Sequence, residues 1–337
     1  MGNHVLLTGI SGFVGLHCAK QLVEAGFTVT GSVRNTSKIS SVKETLVKAN
    51  VDVEKINFVT LDLNTDDGWD TAVSGCDYVL HVASPFVLAE PKDPNSMIKP
   101  AVDGTLRALN AAKRGKVKRI VVTSSVVSMM GSMKTGRFDE DSWTDVNEPN
   151  VNVYIKSKTL AEQAAWKFIQ AQPQTDDALE MVSINPGGVF GPPLGHDLTG
   201  QSMTMMDQML KGKMPMVPNV AFPMVDVRDV AALHVKALTT VEAAGQRLIA
   251  ASSKAQSMVS VAQILKDAGY KGPSTRIAPN FLIRLMALFD REAKGMVGML
   301  DMNVQTDNAK TRAILDWKPM PFKQSILDTA SSIQAIS

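Results

Sequence analysis

The stretch Val5-Leu6-Leu7-Thr8-Gly9-Ile10-Ser11-Gly12-Phe13-Val14-Gly15 decides how this chain is read. Its three leading apolar residues form a short strand, and from Phe13 to Ala25 the apolar residues recur at helical spacing. Between strand and helix, glycines at 9, 12 and 15 permit a sharp turn, a close backbone approach to a pyrophosphate and tight packing of helix on strand. The free N–H groups and dipole at the start of such a helix favour negative charge. Gly26 then serves as C-cap. Glycine-rich turns also occur in α/β proteins that bind no nucleotide, but this one follows the first strand directly, where the dinucleotide fingerprint belongs. Thr8, Gly9, Ser11, Gly12, Phe13, Val14 and Gly15 are therefore the first candidate cofactor contacts.

A second strand, Thr28 to Val33, ends in Arg34, about twenty residues past the glycines, where an NAD site usually places an acid for the ribose 2′-hydroxyl. A guanidinium there suits a 2′-phosphate, with Lys38 or the Ser37 hydroxyl completing the pocket, so the expected cofactor is NADP(H). The alternative is that Arg34 and Lys38 are solvated surface charges.

At 337 residues the chain exceeds the size of one ordinary core, so two lobes or one large α/β domain with insertions is expected. An apolar content of 45% supplies that core. A net charge of +2 gives no pull towards nucleic acid or anionic membrane, and the basic cluster Lys113 to Arg119 reads as a helix C-terminus and an exposed turn. Cys18 and Cys76 have no metal-type spacing, and the five histidines form no HxxxH or HExxH pair. No metal site is expected, and the two isolated cysteines suggest a reducing compartment. The chain opens straight into a strand without signal-peptide features, and its most membrane-like stretch, Phe281 to Phe289, is short and contains Arg284. A cytoplasmic protein bound to neither nucleic acid nor membrane is expected, either monomer or homodimer.

Strands and helices alternate as in a doubly wound parallel sheet of Rossmann type. Beyond the first two strands, the pattern predicts strands at Asn57–Leu61, Tyr78–Val82, Ile120–Thr123 and Met181–Ile184, with helices near Ser41–Ala49, Met97–Arg114 and Tyr154–Ala171. Asp62 and Leu63 follow the third strand and would face an adenine. Val82, Ala83, Ser84 and Phe86 follow the fourth at the sheet's carboxyl edge, where ligands bind in such folds. Residues 1–188 are expected to form the cofactor domain, with segments around 221–250 returning to it, and 189–337 mainly a smaller substrate lobe.

Tyr154 and Lys158 are four apart and share one helix face, so the ammonium is expected to lower the phenol from its usual pKa of about 10 and make it a usable proton donor. Thr123-Ser124-Ser125 ends the fifth strand beside that helix, with a Ser125 hydroxyl aimed into the cleft. Strand-end serines also commonly serve only as caps or turns.

With these motifs in order, the chain resembles the extended short-chain dehydrogenase/reductases. Within that family it is most similar to the dihydroflavonol reductases, cinnamoyl-CoA reductases and yeast-type ketone and aldehyde reductases. The resemblance runs from Val5 to about Ala335. It rests on TGISGFVG (8–15), VRN with Arg34, LDL (61–63), HVASPF (81–86), VVTSS (121–125), YIKSK (154–158), SINPGGVFGP (183–192), VDVRDVAALHV (225–235) and DNAKTRAILDWKP (307–319). It implies that Ser125, Tyr154 and Lys158 form a catalytic triad, that Arg34 and Lys38 recognise NADP, and that Pro186, Gly187, Gly188 and Val189 line the nicotinamide, with Thr123 beside the cofactor.

The chain departs from the family where many members carry an asparagine, in the run Pro100 to Thr105, and it lacks the Cys-containing run that precedes the tyrosine in cinnamoyl-CoA reductases. A CoA thioester is thus disfavoured.

The implied activity is NADPH-dependent reduction of a small-molecule aldehyde or ketone. Alternatives on the same fold are a sugar-nucleotide epimerase or dehydratase, or a non-catalytic dinucleotide sensor. Methionines cluster on both sides of the cleft, and Phe86, Ser125, Met129, Met206 and Met224 are the expected substrate contacts. Met206 and Met209, three apart on a helix, also suit a core. Flexible thioether walls suit apolar groups of varied shape.

Overall fold

The computed structural model describes every residue except Met1, residues 86–90, 150, 174, 176, 196, 197, 199 and 337, and the side chain of Glu292. The strands are β1 (His4–Thr8), β2 (Thr28–Val33), β3 (Ile56–Thr60), β4 (Tyr78–His81), β5 (Arg119–Thr123), β6 (Thr135–Phe138), β7 (Glu180–Pro186), β8 (Gly188–Phe190), β9 (Ala221–Phe222), β10 (Met224–Asp226), β11 (Arg247–Ala250), β12 (Gln256–Ser257) and β13 (Asn303–Thr306). The first six helices are α1 (Phe13–Glu24), α2 (Lys38–Lys48), α3 (Trp69–Val73), α4 (Asn95–Arg114), α5 (Val127–Met130) and α6 (Val153–Gln170). They are followed by α7 (Gln201–Leu210), α8 (Val227–Thr239), α9 (Met258–Asp267), α10 (Asn280–Met286), α11 (Arg291–Val297), α12 (Ala309–Ile314) and α13 (Phe322–Ile336).

Seven strands make one parallel sheet in the order β11-β7-β5-β4-β1-β2-β3. Both faces are covered, so its strands read as apolar runs rather than as alternation. On one face α1 packs beside α8, with Leu22, Leu46, Leu233 and Leu238 in the core. On the other, α3, α4 and α6 bury Trp69, Leu109 and Ala165. The order reverses between β1 and β4, and the crevice there opens at the carboxyl ends of the strands, where ligands bind in doubly wound sheets.

Two smaller sheets complete the fold. β8 pairs with β10, and β12-β9-β13-β6 form a four-stranded sheet. That sheet takes β6 from ahead of residue 188, whereas β11 returns to the large sheet beside β7. Neither β6 nor α3 is visible in the sequence pattern. Each is four or five residues long, below the window in which periodicity declares itself. Among the described residues no helix is long and apolar enough to cross a membrane.

Gly9 takes a left-handed backbone (φ +72°), and a side chain there would press on the Ala83 backbone at 3.0 Å. At Gly15 the limit is space alone, because a β-carbon would lie 2.1 Å from the Gly9 carbonyl oxygen. Buried histidines tie strand ends at the same edge. His81 of β4 pairs through Nδ1 with the Thr8 hydroxyl at 3.0 Å, and Thr8 Oγ1 also accepts the Ala83 N–H at 3.1 Å. His234 of α8 donates from Nδ1 to the Val230 carbonyl at 2.8 Å, because that carbonyl can only accept. Its Nε2 is left to accept the Thr123 hydroxyl at 2.7 Å. Burial lowers His81 to about 3 and His17 and His234 to about 4, so all three are neutral in the folded protein.

Two outcomes follow. Gly15→Ala should destabilise the protein by about 1–3 kcal/mol, as overpacking does, and weaken cofactor binding. A thermal midpoint and a cofactor affinity equal to wild type would show that helix and strand separate freely. A histidine held neutral takes up its proton only on unfolding, so stability falls as pH drops from 6.5 towards about 4. His234→Gln should therefore make the slope of unfolding free energy between about pH 5 and 6 shallower by roughly 1 kcal/mol per pH unit, and an unchanged slope would refute the neutral assignment.

Candidate active site

A cavity of about 1000 Å³ runs along the carboxyl edge of the large sheet. Its first end is built by the β1–α1 turn. Gly12 caps α1 without any side-chain hydrogen bond, so the first-turn N–H groups stay available to an anionic ligand. Thr8, Gly9, Ser11, Gly12, Phe13, Val14 and Gly15 all line this end. Arg34, Asn35, Ser37 and Lys38 line it past β2, because α2 begins at Lys38, three residues earlier than the sequence pattern suggests, and carries that lysine in its first turn. Asp62 and Leu63 line it past β3, and Val82, Ala83 and Ser84 past β4. Phe86 lies outside the described residues.

Thr123, Ser125 and Tyr154 line the same cavity. Asn152 caps α6 by accepting the Ile155 N–H on Oδ1 at 2.9 Å, which fixes the start of the helix that carries Tyr154. Its amide also donates to the Gly295 carbonyl at 3.2 Å, tying α11 to that helix. The Tyr154 phenol lies beside the Ser125 hydroxyl, close enough for that hydroxyl to favour loss of the phenol's proton. Ser125 Oγ accepts the Val127 N–H at 3.3 Å and lies 3.5 Å from the Pro186 carbonyl.

Lys158 is buried, its ammonium 3.4 Å from the Thr123 carbonyl. One expectation about this centre needs correction: the phenol is not lowered. Burial pushes Tyr154 above its ordinary value against the opposing effect of the Ser125 hydroxyl, and burial likewise brings Lys158 down to about 8 against the opposing charge of Glu162. A phenol so held is fully protonated at neutral pH, the state a proton donor needs. Gly187, Gly188 and Val189 line the cavity, while Pro186 closes β7 opposite Ala250 and accepts the Val126 N–H on its carbonyl at 3.0 Å.

The far end is apolar and sulfur-rich, with Met130, Met205, Met258, Met296, Met299 and Met302 on its walls together with Phe222 and Val220. The methionines expected there are others. Met129 is 1% exposed, Met206 0% and Met224 3%, and all three fill the core. On α7, Met203, Met206 and Met209 repeat every three residues and face inward, which turns Met205 to the cavity. That phase is readable in the sequence. The contributions of Met296, Met299 and Met302 carry no such local signal. Among the described residues no group of His, Cys, Asp or Glu could hold a metal ion.

Residues 5–250 match the model of the NAD dependent epimerase/dehydratase family. The chain is 35% identical over 258 residues to "Cinnamoyl-CoA reductase CAD2" of Medicago truncatula, covering 74% of this chain and 76% of that protein. It is 30% identical to "Putative NADPH-dependent methylglyoxal reductase GRP2" of Candida albicans, covering 98% of both. Among solved structures, yeast methylglyoxal/isovaleraldehyde reductase Gre2 complexed with NADPH superposes with a TM-score of 0.81 at 25% identity, covering 98% of each chain. Fold, glycine turn and sequence relationship agree, and the chain belongs to the NAD dependent epimerase/dehydratase family, the extended short-chain dehydrogenase/reductases.

Proposed function

We propose that this protein is an NADPH-dependent carbonyl reductase that converts an apolar aldehyde or ketone to the alcohol. The observation that carries the reading is that Ser125 and Tyr154, side by side, line the same cavity as the glycine-rich turn and a cluster of methionines. The full-length similarity to reductases named for NADPH and for small aldehydes supports it.

The cavity fits the cofactor on its own evidence, since the uncapped α1 terminus offers its first-turn N–H groups to an anion and the glycine-rich turn lines the cavity there. Arg34, Ser37 and Lys38 would hold the 2′-phosphate, a bidentate guanidinium doing what a neutral residue cannot. Asp62 and Leu63 would border the adenine, and Gly187 to Val189 the nicotinamide. NADPH, when bound, supplies the hydride. Ser125 and Tyr154 hydrogen-bond the substrate oxygen as negative charge grows on it, and Tyr154 gives it the proton. Lys158, one turn further along α6, stabilises the phenolate that remains. The methionine end offers no basic group for a CoA diphosphate or a sugar nucleotide among its described residues, and it suits aryl or alkyl substituents. The reading is of a cytoplasmic enzyme, monomer or homodimer, acting on small molecules.

Following NADPH absorbance over apolar and charged carbonyl series tests this directly. The expected result is NADPH consumption with kcat/KM favouring the apolar series, and with Tyr154→Phe slower by at least about a hundredfold while NADPH affinity holds. An epimerase would consume no cofactor. A Phe variant of full activity would remove Tyr154 from the reaction. Separately, Arg34→Asp should weaken NADPH by roughly 2 kcal/mol or more and spare NADH, because a charge-assisted pair is replaced by repulsion. Unchanged NADPH/NADH preference would return Arg34 to the solvated surface.

A further inference from the structure

Helix α6 repeats a functional group every four residues, Tyr154, Lys158 and then Glu162, and the third is not used by the reaction above. Its carboxylate is 1% exposed and unusually well supplied with donors. Oε2 accepts Ser124 Oγ at 2.5 Å, Ser128 Oγ at 2.5 Å and Asn185 Nδ2 at 2.9 Å. Oε1 accepts Ser183 Oγ at 3.0 Å, Trp166 Nε1 at 3.3 Å and Arg247 Nε at 2.8 Å. Arg247 lies over the Trp143 ring at 3.7 Å and donates through Nη1 to the carbonyls of Glu140 and Ser142.

Such a pair is poorly explained by stability alone. Desolvating both charges offsets most of their attraction, and a packed apolar pair of the same volume often does as well. What distinguishes this carboxylate is where its donors sit. Ser124 precedes Ser125 in the chain, and Ser128 lies one turn after it. The two amide hydrogens of Asn185 bridge the carboxylate and the Ser125 carbonyl, the latter at 3.3 Å. Ser128 Oγ sits 2.8 Å from that same carbonyl and 2.5 Å from Glu162, so its single proton goes to the stronger acceptor, the charged one.

We propose that Glu162 is a positioning residue for the proton-donating pair. By holding Ser124, Ser128 and Asn185 it fixes the main chain on both sides of Ser125, and hence the place where the Ser125 hydroxyl meets Tyr154 and the substrate oxygen. The inference rests on the assignment of Ser125 and Tyr154 above. It gives Glu162 no contact with substrate or cofactor. Charge as well as shape is needed, since only a carboxylate accepts on both oxygens. A glutamine keeps the volume but presents an NH₂ group to donors on one side.

A double-mutant cycle separates positioning from general support. NADPH-dependent turnover of the fastest carbonyl in the series above is measured for wild type, Glu162→Gln, Ser125→Ala and the double variant. In the presence of Ser125, Glu162→Gln should lower kcat by about tenfold to a hundredfold, the cost of a small misplacement, with KM for NADPH within about twofold. In the Ser125→Ala background the same change should cost less than about twofold, because nothing remains to be positioned. Equal losses in both backgrounds would overturn the proposal while leaving the catalytic reading intact, and so would wild-type kcat in Glu162→Gln. Full activity in Ser125→Ala would instead remove Ser125 from the reaction and take this proposal with it. Should Glu162→Gln fail to fold, Ser128→Ala keeps the ion pair and serves in its place. It should lower kcat several-fold with Ser125 present and not in its absence, and equal effects in the two backgrounds would again overturn the proposal.

Discussion

At Gly15 the first helix touches the turn that precedes it so closely that a β-carbon would lie 2.1 Å from the Gly9 carbonyl oxygen. This contact sets the angle at which α1 leaves β1 and brings the uncapped helix start over the crevice between β1 and β4. Gly9 in turn lies against the backbone of Ala83, which follows β4. Two strand ends and one helix are thus fixed by backbone contacts rather than by adjustable side chains. The ends of β2 and β3, paired in parallel register beside them, then have little freedom over where Arg34 and Asp62 emerge.

The chemistry sits on the other side of the same switch point and is held differently. There polar side chains hold the strand ends. His81 reaches the Thr8 hydroxyl, His234 the Thr123 hydroxyl, and Asn185 the Ser125 carbonyl. Burial keeps the histidines neutral, so these links add no charge beside a site that handles a hydride and a proton. The carboxylate of Glu162 is the exception. Burial pushes it up, but the Arg247 charge and the surrounding donors outweigh that and hold it below the usual carboxylate range. An anion therefore persists in the core behind the serines.

The methionine-lined end is assembled from distant parts of the chain. Met130 comes from the helix just past Ser125, Met205 from α7, Met258 from α9 and Met296 from α11. The four-stranded sheet brings them together by joining β6, which follows β5 and α5, to β13 near the C-terminus. The methionine-lined end is thus tied to the large sheet through the chain on both sides of Ser125 and Tyr154.

Much of this was legible in the residues. Glycine spacing, the Tyr154–Lys158 interval and the apolar runs act over a few residues, where backbone geometry alone dictates the result, and the strands and helices around them lie within a few residues of their expected limits. Short elements such as α3 and β6 escaped, being too brief for a period to show. What the sequence by itself determined was the order of the elements, the glycine-rich turn after β1 and the residue types at the proposed reacting centre. Tertiary structure alone decided which methionines face the cavity and that burial raises Tyr154 rather than lowering it. It alone gathered Ser124, Ser128, Ser183, Asn185 and Arg247 on one carboxylate. The physical reason is range, since burial and hydrogen bonding depend on neighbours far apart in the chain, as Thr123 and His234 are at 111 residues, that meet only when the sheet is complete.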